Sequence, residues 1–465
     1  MKKLLFVAAA GLLLAGCTDN APPPAPVPPV LSAAPVAKGA TAFGAHWDWN
    51  RYEQVEPYLR KLSGSSTFLE FSWCDVEKTQ GSPDFSAVDQ AAERSRALGI
   101  RLDLKIRVGV CWATGGTAKF TRGQANKTES AMPLDMAAYQ AFVTTVVKRY
   151  QPQGVSQYAI ENEVNAQQYW AGTPEDYETL VRAAAEAIHA ADPAAEVVDS
   201  GISSVAMGMG VAGRLADAGQ ADAAVAAYNA YFPRRVGTRG KQIPAVTDAA
   251  GLQTALAQQT NVRNRAFLAA TERLLDDGVV TVRQLHFYEH PDGIPALLDY
   301  LKAETPAGVP IQAWEVGRFD KTVATDQAAI SAEMTEVVSL LLAGGVTEVV
   351  WLPLAYNPDN RAGAEVRTGL LGPDGAERPA GTMFAGLAAA AKGAKASPVT
   401  TGDLTGVAFS GPAGTRLVVW SKSGATVTVP AKANLKAATT PAPGTPLLIE
   451  TDKPLPEALA AIAGR

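Results

Sequence analysis

Tyr158-Ala159-Ile160-Glu161-Asn162-Glu163-Val164-Asn165 and Ile311-Gln312-Ala313-Trp314-Glu315-Val316-Gly317 decide how this chain is read. Each reads as a buried β-strand that ends in a glutamate. Asn162 stands directly before the first of these glutamates, Glu163. Two carboxylates at the ends of two strands are the minimum equipment for cleaving a glycosidic bond. One gives a proton to the leaving oxygen, and the other, ionised, attacks or stabilises the cationic sugar carbon. The plainer alternative makes each glutamate a surface residue where a strand enters a loop.

Working outward, apolar β-rich runs recur near 42–47, 66–73, 101–108, 156–162, 196–201, 281–288, 309–315 and 347–353. Helical patterns lie between them, clearest at 52–62, 86–98, 136–150 and 174–191. Eight β-α units in a row predict an α/β fold, a (β/α)8 TIM barrel, over an open sheet. No Gly-rich phosphate loop follows any strand, which counts against a dinucleotide fold. In the third run Asp103, Lys105 and Arg107 alternate with Leu102, Leu104, Ile106 and Val108. That pattern sets a polar face into the barrel and an apolar face against the helices. Asp103 and Lys105 are read as a salt-bridged structural layer, with Glu70 of the second run as a partner inside. The segment 202–265 breaks the rhythm and is expected to wall the cleft as a long insertion after the fifth strand. From about Lys395, short runs split by Gly and Pro predict a small C-terminal all-β domain. The expected divisions are a signal (1–16), a tether (17–40), the barrel (41–393) and a β-sandwich-like domain (394–465).

Lys2 and Lys3 precede a short apolar run, 4–15, too short to span a bilayer and suited to a signal segment. It ends in Leu14-Ala15-Gly16-Cys17, which resembles a bacterial lipoprotein signal. That resemblance implies cleavage before Cys17 and a lipid on Cys17; the alternative is an ordinary secretory signal. The stretch 19–37 is mostly Pro, Ala and Val and should form an extended polyproline tether. The implied location is the bacterial cell envelope, lipid-anchored. In such an oxidising compartment Cys74 and Cys111, just past the second and third strands, are candidates for a disulfide, with free buried thiols as the alternative.

The formal net charge is −5 over 465 residues, with no basic patch carrying interleaved aromatics, so no nucleic-acid partner is expected. No cofactor is expected, and the chain is expected to act as a monomer on a carbohydrate substrate. Of eight tryptophans, Trp47, Trp49, Trp73, Trp112, Trp170, Trp314 and Trp351 fall at or just past strand ends. An indole face stacks on a pyranose while its N–H bonds a hydroxyl, so they predict an aromatic mouth. His286 and His290 are four apart, a metal-like spacing only on a helix, so no metal site is expected.

Strand four, with Ile160, Asn162, Glu163 and Asn165, resembles the Asn-Glu signature of clan A glycoside hydrolases. Trp314-Glu315-Val316-Gly317 resembles their nucleophile strand, and Leu285-His286-Phe287-Tyr288 their His-x-Tyr strand. Phe71-Ser72-Trp73, Glu77 and Ala87-Val88-Asp89 are similar to family 39 and family 5 members, as is Gly172-Thr173-Pro174-Glu175-Asp176-Tyr177. The resemblance covers roughly 42–390. It implies Glu163 as acid then base, Glu315 as nucleophile, and Asn162 on the sugar 2-hydroxyl. It further implies that Tyr288 donates to Glu315, that His286 binds nearby, and that Trp351 is the platform under the cleaved sugar. His46 is a candidate for a hydroxyl in the same subsite, and Trp73 and Trp112 for stacking. For His286 the alternative is a core histidine. The chain departs from the family at Val164, where proline is usual, and lacks an arginine near the end of strand two, for which Arg107 is the candidate replacement. A catalytically inactive sugar-binding lipoprotein on the same barrel is the rival reading.

If Cys17 carries lipid, Cys17→Ser should abolish incorporation of labelled palmitate and move the protein from the membrane to the soluble fraction. Unchanged labelling would contradict the anchor.

Overall fold

The computed structural model describes residues 41–115, 129–233, 243–320, 326–355, 366–367, 369–411, 414–429, 435–437 and 444–462. The expected signal and tether, with Cys17, lie outside them. Eight parallel strands form one sheet: β1 (Phe43–Ala45), β2 (Ser66–Ser72), β3 (Arg101–Arg107), β4 (Gln157–Ile160), β5 (Glu196–Val198), β6 (Arg283–Phe287), β7 (Ile311–Val316) and β8 (Glu348–Trp351). The spatial order is β5-β4-β3-β2-β1-β8-β7-β6. Isolated parallel bridges Val198–Val282 and Ile202–Leu285 then join β5 to β6, so the sheet curls into a nearly closed barrel. Helices follow the strands on the outside. Their ends obey local chemistry. Thr173 caps Pro174–Ala191 by accepting from Asp176 N (3.1 Å), while the Asp176 carboxylate accepts from Thr173 N (2.9 Å).

The alternation in β3 has the consequence expected of it. Leu102, Leu104, Ile106 and Val108 join the apolar layer between strands and helices. Arg101, Asp103, Lys105 and Arg107 turn inward and form a vertical series of ion pairs. At the lower end Arg101 pairs with Asp103 (2.8 Å) and with Glu348 of β8. Burial pushes the Asp103 carboxyl up, and the Arg101 charge opposes that push. At the upper end Arg107 meets Glu70 (3.1 Å) and Glu161 (3.4 Å). Lys105, between them, pairs with Glu315 of β7 (3.1 Å).

The segment after β5 folds into helices Ser204–Asp217, Ala221–Tyr231 and Ala249–Leu256 before the barrel helix Gln259–Asp276. Beyond the barrel, β9 (Lys395–Thr401), β10 (Leu404–Gly411), β11 (Gly414–Ser421), β12 (Lys436–Ala437) and β13 (Leu447–Thr451) make one antiparallel sheet. Where a sandwich is expected, the described residues form a single sheet. One face, with Val407, Phe409, Val418, Trp420 and Leu448, enters the barrel's own apolar layer. The other, with Ala408, Leu417, Val419 and Ile449, is covered by Ala458 and Ile462 of the helix Leu455–Ile462. A helix does the work of the second sheet.

Cys74 and Cys111 are joined, with Cα atoms 5.5 Å apart and a sequence separation of 37. The bond ties the loops that leave β2 and β3. Closing a loop of that length constrains the unfolded chain, so Cys74→Ser with Cys111→Ser should cost about 2–4 kcal/mol. Urea unfolding of the oxidised protein and the double variant measures this; superimposable curves would show that the bond adds no stability.

Candidate active site

β4 stops at Ile160, and the chain leaves the sheet through two left-handed non-glycine residues, Glu161 (φ 67°) and Glu163 (φ 41°). Such backbone costs roughly 1–3 kcal/mol per residue, so the surroundings must hold it. Glu161 N donates to Ile106 O (2.9 Å) and Glu163 N to Ser200 O (3.1 Å). The Glu161 side chain is fully buried and accepts from Val108 N (2.7 Å) and Arg107 Nε (3.4 Å). Burial pushes this carboxyl up, with Arg107 opposing. With its neighbour so fixed, Glu163 is directed toward the barrel axis.

There it meets residues from two other strands. His286 Nδ1 of β6 lies 2.9 Å from Glu163 Oε1 and 3.5 Å from Glu315 Oε2 of β7. One oxygen of each glutamate and one imidazole nitrogen all lie within 4.8 Å of one another. Tyr288 Oη donates to Glu315 Oε2 (2.8 Å). Lys105, fully buried, donates to Glu315 Oε1 (3.1 Å) and to Asn162 Oδ1 (2.7 Å). An ammonium has only donors, so this second bond also fixes the orientation of the Asn162 amide. Its Nδ2 is then the end left for a ligand. Gly201 (φ +65°) is required under this group, because a Cβ there would run into His286 Nε2.

His46, after β1, stacks on Phe68 (centroids 4.1 Å apart, 6° between planes). Its Nδ1 lies 3.0 Å from Phe68 O. A carbonyl only accepts, so Nδ1 carries the hydrogen and Nε2 is an acceptor. Burial pushes the His46 imidazole down to about 4, with the negative charge of Glu315 pulling the other way. It is neutral near pH 7. Asp199, beyond β5, is fully buried and is pushed up to about 6 by that burial, its carboxylate accepting from Gly201 N (2.7 Å) and Gln284 N (2.9 Å).

The barrel therefore brings Glu163, Glu315, Asn162, His286, Tyr288 and His46 to one end of the strands. Other sequence candidates are placed differently. Lys105, read as part of a structural layer, belongs to this group instead. Its alternation with Asp103 and Arg107 was visible; its partners depended on β7 crossing opposite it. Arg107, the candidate replacement for the missing arginine, is buried and engaged with Glu70, Glu161 and Tyr169 O (3.0 Å). Trp351 is 2% exposed and does not form a platform. Val350 and Leu352 face the barrel interior, so alternation sends Trp351 outward into the helix layer. Trp73 is equally buried, because the short helical turn Trp73–Val76 swings it against Phe142 (5.4 Å) with Nε1 on Glu77 Oε2 (2.7 Å). Only Trp49 and Trp112 among the eight indoles are half-buried, so the aromatic mouth reduces to these two. Trp112 Nε1 donates to Glu77 O (2.7 Å).

Glu163, His286 and Glu315 are close enough to share a metal ion. The Lys105 ammonium, however, already supplies the positive charge beside Glu315 that a metal would bring. The donor set fits an acid–base pair better than a cation site.

No protein-family model matches this chain, and no curated protein matches it. Solved structures do. A family 39 glycoside hydrolase from the gut symbiont Bacteroides cellulosilyticus superposes with a TM-score of 0.59 at 14% identity, covering 88% of this chain and 80% of that one. The fold is shared with glycoside hydrolases. A family 30 subfamily 8 xylanase from Clostridium acetobutylicum gives 0.51 at 13% identity, over 88% of this chain and 96% of that one. A glucosidase from Croceicoccus marinus gives 0.50 at 14% identity, over 78% and 70%. At these identities the likeness extends to the barrel architecture; the chemistry has to be argued from the residues.

The His46 shift has a measurable consequence. The unfolded imidazole takes up a proton below its ordinary 6.5, whereas the folded one resists until about 4. Its contribution to stability is thus present above pH 6.5 and lost as pH falls toward 4, by on the order of 2 kcal/mol. In urea titrations across that range His46→Asn should show a shallower acid loss than the parent protein. Parallel acid limbs would contradict a neutral His46 in the folded protein.

Proposed function

We propose that this chain is a retaining glycoside hydrolase acting on O-glycosidic bonds of an oligo- or polysaccharide. The observation that carries the reading is the cluster of Glu163, His286 and Glu315, within 4.8 Å, at the ends of three strands of this barrel. Retaining enzymes hold their carboxyl groups about 5–5.5 Å apart, inverting ones about 6.5–9.5 Å to admit a water. One oxygen of each carboxyl within 4.8 Å of the other is compatible with the shorter, retaining separation. A bacterial exopolysaccharide is the substrate we favour, on the strength of the envelope address expected from the N-terminus.

The residues divide the work as follows. Glu315 is kept ionised as nucleophile by Lys105 and Tyr288, and one of its oxygens bonds to the anomeric carbon. The bond from that carbon to the leaving oxygen breaks as Glu163 transfers its proton to that oxygen. In the second half, the ionised Glu163 removes a proton from water, whose oxygen displaces Glu315 from the anomeric carbon. His286 Nδ1–H steadies Glu163 while it is ionised. Asn162 Nδ2, oriented by Lys105, donates to the sugar 2-hydroxyl, and His46 Nε2 accepts from another hydroxyl. Each such bond strengthens as charge develops on the ring.

Hydrolysis of a polysaccharide panel by the purified protein tests the class, with Glu163→Gln and Glu315→Gln as controls. The separate duties of the two glutamates give a sharper test. A good leaving group departs unprotonated, so Glu163→Ala should retain rapid glycosylation by a dinitrophenyl glycoside while losing hydrolysis of the glycan, by about 10²–10⁴-fold. Its glycosyl-enzyme should persist, and azide should release a glycosyl azide of retained configuration. Glu315→Ala should lose both activities, with azide giving only inverted product. Equal losses on every substrate, without an azide effect, would reverse the assignment.

A further inference from the structure

Arg263, on the helix Gln259–Asp276, has an unusual set of partners. Its Nε donates to Asn165 O (2.9 Å), and its Nη2 donates to Val164 O (3.1 Å) and Trp170 O (3.0 Å). Nη1 and Nη2 also approach Gly172 O, each at 3.4 Å. The guanidinium lies 4.5 Å over the ring of Phe267. Among the described residues no carboxylate pairs with it, and burial pushes its pKa down. A half-buried cation answered by carbonyl dipoles and one ring face, without a countercharge, is a costly arrangement, so it is informative. All four carbonyls belong to the loop that begins directly after Glu163. The next residue of the helix holds the same loop: Asn165 Nδ2 donates to Asn264 Oδ1 (2.8 Å) and to Ser203 Oγ (2.8 Å).

We propose that Arg263 is a positioning residue for Glu163: it grips the 164–172 loop from behind and keeps the left-handed Glu163 backbone, and with it the carboxyl, at the distance proton transfer needs. The proposal rests on the glycosidase reading for what Glu163 does. The grip itself is independent of that reading. Five fixed donors on a planar fork suit Arg to four carbonyls at different heights; the single ammonium of a lysine reaches fewer of them. Releasing the loop lets Glu163 relax from φ 41° and drift from His286 Nδ1.

The test uses the full chain with Arg263→Gln and, as the milder variant, Arg263→Lys. Hydrogen exchange of the backbone should quicken in 162–172 in both variants, more in Arg263→Gln, with the remaining strands protected as before. Hydrolysis of a glycan with a poor leaving group should fall by about a hundredfold in Arg263→Gln. The pre-steady-state burst of dinitrophenol from the activated glycoside should stay near the parent rate, because it needs no acid. Equal losses on both substrates, or unchanged exchange in 162–172, would overturn the proposal, since a merely structural arginine affects both steps alike. A parent protein inactive on every glycoside would count against the function instead, and the exchange measurement would still decide whether the grip exists.

Discussion

The barrel interior is organised by the need to pair one fully buried ammonium. Lys105 stands inside β3, and taking a bare cation out of water costs several kcal/mol unless partners replace the lost hydration. Glu315 supplies the countercharge, Asn162 an oxygen dipole, and Phe68 a ring face 4.6 Å away. These three come from β7, the end of β4 and β2. One charge thus fixes the relative heights of strands far apart in sequence, and sets Glu315 and Asn162 against each other across the barrel. The layers above and below follow the same rule with other residues, Arg107 between Glu70 and Glu161, and Arg101 between Asp103 and Glu348.

Strain and pairing meet at the end of β4. Glu161 and Glu163 both adopt backbone that side chains resist, and the two residues are held by different means. Glu161 is locked by its own carboxylate, which caps Val108 N and faces Arg107. Glu163 is not locked that way; its carboxyl meets His286 instead. Its conformation is therefore maintained through the main chain, by Ser200 O on one side and by the loop that follows on the other. On the acid–base role proposed for Glu163, a side chain left free to exchange a proton is anchored by its backbone.

What could be read from the sequence follows from how local each signal is. The eight strands showed because each is a short apolar run between helical periods, and Glu163 and Glu315 showed because a carboxylate ending such a run stands out. Cys74 and Cys111 could be paired because neighbouring strands place their ends about 4.8 Å apart. Lys105 was misjudged because its partners depend on the circuit of the barrel, which brings β7 across from β3. Trp351 was misjudged by parity: one position of alternation separates it from Leu352, and that step decides whether an indole meets sugar or helix. Trp73 was lost to a four-residue turn too short to signal itself. Arg263 carried no signal at all, since carbonyls have no letter in the sequence. The C-terminal sheet was legible as strands, but its second layer is a helix formed by the last apolar residues.

Phe43, at the start of the first strand, touches both Phe384 and Phe409 (5.2 and 6.4 Å between centroids), and Thr41 beside it donates to Ala388 O, 347 residues away. The outer face of the strand made first is covered by side chains made near the end. During synthesis that face has nothing native to bury against until most of the polypeptide exists. Most of that cover comes from the helix Pro379–Ala390, and Phe409 of the last sheet adds to it. A chain shortened before Lys395 would keep Phe384 over the opening strand but lose Phe409, and with it the apolar layer that Val407, Val418, Trp420 and Leu448 share with the barrel.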